Sequence, residues 1–240
     1  SDVYKRQMLY NFEKTLLVIL LSVTFSCKNY NNENHYKNFA IVTAKYEATK
    51  AGHKILKMGG NAFDAMIATD LALSVVYPNA GNLGGGGFMV YRTSNSQYGS
   101  IDYREKAPLL SSENMYLDKN GNIIKNLSRE GSLSIGVPGT VAGLFEVYEK
   151  FGTLPLDSIF KPALELAKDG FKLTKKQADL FNSSKSKILI NSDSLSLFNK
   201  DFKKDMIFSN DKLYKTLKYL LKYGAEGFYD GDISKEIINY

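Results

Sequence analysis

The chain has 240 residues, 44% hydrophobic and 23% charged, which is enough apolar material for a sizeable core and too much for general disorder. Its net charge of +6 raises nucleic-acid binding, but the lysines are scattered among acids, and pairs such as Lys175–Lys176 and Lys203–Lys204 are too short to make a basic stripe. A single cysteine, Cys27, and two histidines, His35 and His53, exclude an internal disulfide and offer no metal-ligand spacing, so neither a metal nor another cofactor is expected.

Residues 1–7 (SDVYKRQ) precede Met8, match nothing downstream and read as upstream translated sequence. From Met8 the pattern is that of a secretory leader: Lys14 supplies positive charge, and residues 16–25 (LLVILLSVTF) form an apolar run of leader length, too short to span a bilayer comfortably. The run ends at Ser26–Cys27. A lone cysteine there is a candidate for lipidation as the mature N-terminus, although Thr24 stands where lipoprotein processing prefers Leu. A plain secreted protein and an uncleaved anchor are the competing readings. Residues 1–27 are thus set apart from 28–38, a polar Asn-rich tether, and from 39–240, the folded region.

Residues 39–43 (FAIVT) read as a short strand. Ala48, Ala51, Ile55 and Met58 recur at helical spacing over residues 47–58, and Gly59–Gly60 marks the end of that helix. Asn61, with Asp64 three residues on, resembles a capping box opening a second helix, AFDAMIATDLALSVVY, which Pro78 closes. Being apolar nearly all round, that helix is predicted to lie buried between layers. His53 falls within the first helical pattern and reads as a structural or exposed histidine.

The segment 81–91 contains Gly84, Gly85, Gly86 and Gly87 in a row. A phosphate cradle would need a Lys-Ser/Thr and a helix after the glycines, and a strand (FMVYR) follows instead. Glycines at the entry to a strand allow close approach of another backbone or of a substrate. Residues 94–97 turn the chain and 98–103 form the hairpin partner, which delivers Arg104. The pattern leaves two readings of Arg104: an arginine paired locally with Asp102 or Glu105, or a planar fork for a substrate carboxylate. Further helices are predicted at 141–151 and 156–168, in the Lys- and Ser-rich stretch after Thr174, and at 211–223. Alternating groups of helix and strand indicate an α+β layered architecture.

Taken together and in order, several pieces resemble the γ-glutamyltranspeptidase family. They are EATKAGHKILKMGGNAFDAMIATDLALSVV, NLGGGGFMVY, DYREKAP, GSLSIGVPG, VAGLFEVYEKFGTL, PALELAKDGF and EGFYD. The resemblance covers the N-terminal portion of the large subunit. It implies an N-terminal nucleophile hydrolase with an α/β/β/α layered sandwich, here incomplete. In such enzymes a precursor cleaves itself, and the new N-terminal Thr of the small subunit attacks a γ-glutamyl amide, activated by its own α-amine. Water or an acceptor amine then takes the glutamyl group. The resemblance assigns Arg104 to the α-carboxylate of the donor. It assigns Gly84, Gly85, Gly86 and Gly87 to structural support near the site.

The implied partners are glutathione or another γ-glutamyl donor, an acceptor amino acid, peptide or water, the chain's own small subunit, and a membrane if Cys27 is lipidated; nucleic acid is not among them. The processing site and its Thr nucleophile are absent from this sequence, so it is expected to be a fragment of an exported precursor and inactive alone. Cys27 as a rival N-terminal nucleophile is disfavoured, since the tether separates it from residues 81–107 and the family uses Thr. The sequence is also compatible with a non-catalytic lipoprotein binding γ-glutamyl compounds, and with a relative acting on β-lactams or poly-γ-glutamate.

Overall fold

A computed structural model describes residues 38–190 and 196–239. The leader, Cys27, His35 and most of the tether lie outside the described residues. No described helix is long and apolar enough to cross a membrane.

Helix α1 (Tyr46–Lys57) buries Ala48, Ala51 and Ile55, the stripe its sequence spacing dictates. It stops because Gly59 adopts φ +89, which lets Gly59 N–H reach Leu56 O and Gly60 N–H reach Ile55 O, both at 3.1 Å. Helix α2 (Ala62–Val76) starts at once. The Asn61 side chain accepts from the N–H groups of Phe63 and Asp64, and the Asp64 carboxylate accepts from Asn61 N–H at 2.9 Å. That carboxylate is fully buried and also accepts from Thr153 N–H at 2.9 Å and the Thr153 hydroxyl at 2.5 Å. One acid therefore caps α2 and ties it to the loop after α3. Helix α2 is buried on most sides, against α1, α3 and α4, as its uniform apolarity requires.

Strands β1 (Phe88–Arg92) and β2 (Tyr98–Asp102) form an antiparallel hairpin with Val90 opposite Ser100. Met89 and Ile101 point inward, and Tyr91 joins Phe63 and Phe151 in an aromatic cluster whose closest rings lie 4.2 Å apart. The other face carries Phe88, Val90 and Tyr98 in the open. After a long connection come α3 (Thr140–Phe151), α4 (Leu156–Asp169), β3 (Phe171–Lys172), α5 (Lys175–Ile190), β4 (Ile207–Phe208), α6 (Asp211–Tyr229) and α7 (Asp232–Asn239). Helix α6 is broken at Gly224, whose φ of 65° and ψ of −158° redirect its last turn.

Two features differ from the sequence expectation. Residues 39–43 form no strand, because a strand exists only within a ladder and none is assigned to this segment. Ile41 is half-buried and Val42 lies 92% exposed. The short pair β3–β4 has no counterpart in the sequence pattern. It carries Phe171 and Phe208 into an aromatic part of the core with Phe181, Phe198 and Phe202. The described residues thus provide helices packed on one face of a hairpin, an α+β arrangement corresponding to part of the layered sandwich.

Candidate functional site

Arg104 stands just past β2, where three backbone segments converge. On one side is the glycine run. Gly87 and Tyr103 pair through their backbones at 3.0 and 3.3 Å. A Cβ on Gly86 would lie 2.6 to 2.8 Å from backbone atoms of Tyr103, Arg104 and Glu105, so only a glycine lets the two segments touch. On the other side is the Val137-Pro138-Gly139 turn. Lys106 and Val137 exchange backbone hydrogen bonds at 3.1 and 2.8 Å, and the bare Cα of Gly139 faces the carbonyls of Tyr103 and Arg104. The backbone of Arg104 is therefore held from both flanks.

The two flanks are also joined to each other. Gly139 N–H and Thr140 N–H both donate to Gly85 O, at 2.7 and 3.0 Å. The Asn82 side-chain oxygen accepts from Gly85 N–H at 2.6 Å and from the Thr140 hydroxyl at 3.2 Å. These contacts satisfy N–H groups at the start of α3, which has no side-chain cap of its own. Below the hairpin, the ring of Tyr103 lies against Gly87 and Gly143, where no Cβ intervenes. Burial pushes the Tyr103 hydroxyl above its usual range, with the nearby Asp70 charge adding to it. Burial likewise raises the Asp70 carboxyl to about 6.

The Arg104 side chain is exposed, and its guanidinium has no ion pair among the described residues. Asp102 accepts from Arg104 N–H at 3.0 Å, so its carboxylate engages the backbone rather than the charged group. A fixed backbone that presents an unpaired, planar, five-donor cation is suited to a carboxylate ligand.

The four glycines differ in their surroundings. Gly86 and Gly87 pack on residues 103–105, Gly85 packs on the Asn82 side chain, and nothing lies within 4 Å of a Cβ built on Gly84. His53 sits exposed on α1. Sequence reasoning missed Asn82, Thr140 and Tyr229. The Tyr229 hydroxyl donates to Pro138 O at 2.8 Å and accepts from Ala142 N–H at 3.2 Å. The only sequence signal for Tyr229 was its place in the EGFYD segment.

Residues 48–240 match the sequence profile of the family described as gamma-glutamyltranspeptidase. The chain is 38% identical over 249 aligned positions to a glutathione hydrolase proenzyme from Pseudomonas sp. (strain A14), covering 94% of this chain and 41% of that protein. It is 40% identical over 205 positions to the glutathione hydrolase proenzyme of Escherichia coli (strain K12), covering 84% of this chain and 35% of that one. The fold superposes on the crystal structure of Helicobacter pylori γ-glutamyltranspeptidase with a TM-score of 0.79 and 38% identity, over 84% of this chain and 59% of that one. The chain therefore spans 35–41% of the length of these two curated relatives.

Proposed function

This chain belongs to the γ-glutamyltranspeptidase family, and from that premise we propose that it is the front part of a precursor that cleaves γ-glutamyl amides and passes the glutamyl group to water or an amine. The single observation that carries this reading is Arg104: a cation fixed at its backbone, exposed, and unpaired among the described residues. Its role is to hold the α-carboxylate of the donor through two parallel charged hydrogen bonds. That contact sets the position of the γ-carbonyl relative to the nucleophile, a Thr supplied by the small subunit once the precursor has cut itself. Glutathione-like donors rank first, since they carry a free α-carboxylate on the γ-glutamyl group. The names of the curated relatives favour this reading over an acylase for β-lactams, an enzyme of poly-γ-glutamate, or a binding lipoprotein without chemistry.

Gly85, Gly86 and Gly87 serve as support for Arg104, Gly84 makes no such contact, and none of the four takes part in the chemistry. The leader, with its apolar run and the polar tether behind it, supports export, and the position of Cys27 directly after the run supports lipid attachment to a membrane. The test is to express the full-length precursor and follow release of glutamate from glutathione. Release that depends on prior cleavage into two subunits is expected. A precursor that matures and releases none overturns the proposal.

A further inference from the structure

Tyr229 lies 91 positions beyond Pro138 in the sequence, yet its hydroxyl bonds to Pro138 O in the turn that flanks Arg104 and to Ala142 N–H in the first turn of α3 that follows it. It reaches that turn because Gly224 breaks α6 and turns the following residues toward the start of α3. Among the described residues no backbone hydrogen bond engages Pro138 O or Ala142 N–H, so the hydroxyl supplies what the local chain lacks. Burial holds the hydroxyl above its usual range, with the Ala142 bond opposing, so it keeps the proton that it donates to Pro138 O. From there the contacts run without a break. The turn bonds to Gly85 O through Gly139 and Thr140, the Thr140 hydroxyl meets Asn82, and Gly86 and Gly139 press on the backbone of Arg104 from opposite flanks.

We infer that Tyr229 is a positioning residue of the Arg104 site: through the 138–142 turn it fixes where the guanidinium stands, without touching substrate itself. The inference rests on the reading of Arg104 as the donor carboxylate ligand. A loosened turn leaves the nucleophile and its activation intact but lets the cation wander from the carboxylate. The defect therefore falls in donor binding rather than in turnover.

The experiment is a double-mutant cycle in the full-length precursor, measuring donor kinetics with glutathione for the native protein, Tyr229→Phe, Arg104→Ala and the pair. Cleavage into subunits, seen on a gel, checks that each variant has folded. Tyr229→Phe is expected to raise the donor KM about three- to tenfold, the loss falling in KM rather than kcat, and to raise it no further once Arg104 is Ala. Thr140→Val cuts the same series of bonds at Asn82; it is expected to show the same pattern, and decides the matter if Tyr229→Phe fails to mature. An unchanged donor KM in Tyr229→Phe, or an equal rise in the Arg104→Ala background, overturns the role of Tyr229 while leaving Arg104 in place. An unchanged KM in Arg104→Ala alone overturns the donor-site reading and this inference with it.

Discussion

A methyl group on Gly86 would meet Tyr103 O, Glu105 N and Arg104 C, all backbone and all within 2.8 Å, whereas one on Gly84 would meet open space. Neighbouring glycines thus carry opposite expectations. Gly86→Ala should cost about 1–3 kcal/mol, because the backbone under Arg104 must shift. Gly84→Ala should stay within about 0.5 kcal/mol. Urea unfolding of the two variants side by side checks this, and equal effects would contradict it. Asp70 makes a second residue-level case. Its folded carboxyl titrates near 6 against an ordinary 3.8, so burial favours the neutral acid. Its contribution is complete below pH 3.8 and is lost as pH rises through 6. Asp70→Asn should therefore stabilise the protein by up to about 3 kcal/mol at pH 8 and by about 0.5 kcal/mol at pH 4. A gain that does not change with pH would show that the carboxyl is not held neutral.

At the scale of elements, the α1–α2 corner is where local sequence and tertiary structure agree most closely. Asn61 and Asp64 were legible as a cap because capping is a contact between residues three apart. What the local pattern did not show is that Asp64 also holds Thr153, 89 positions away. Asp64→Ala removes the acidic half of the capping box and takes the shared acceptor away from Asn61 and Thr153, and should cost about 2–4 kcal/mol in unfolding free energy. A loss below about 1 kcal/mol would mean that water replaces the carboxylate. The strand expected at 39–43 rested on its β-branched residues, which say that a segment suits a ladder but not that a partner is present. The aromatic part of the core around Phe208 was illegible for a related reason. Phe171, Phe181, Phe198, Phe202 and Phe208 come from separate elements and follow no single period.

At the scale of the whole molecule, the helices cover one face of the β1–β2 hairpin and leave Phe88, Val90 and Tyr98 at 63%, 85% and 73% exposure on the other. Apolar surface of this kind marks contact with further protein, and the proposed remainder of the precursor would supply it. Of the candidate site, Arg104 and the glycines were legible because they sit in one short stretch with a family pattern. Tyr229, Thr140 and Asn82 were not, because their bonds join segments far apart in sequence. The most direct test of the account is the donor KM of the full-length precursor with Arg104 changed to Ala and to Lys. A fork that binds the donor carboxylate predicts a KM rise well beyond tenfold for Arg104→Ala, since a lost charged hydrogen bond is worth about 1.5–3 kcal/mol. It also predicts a partial recovery in Arg104→Lys, which keeps the charge but not the planar pair of donors. A donor KM unchanged in both variants would contradict the account.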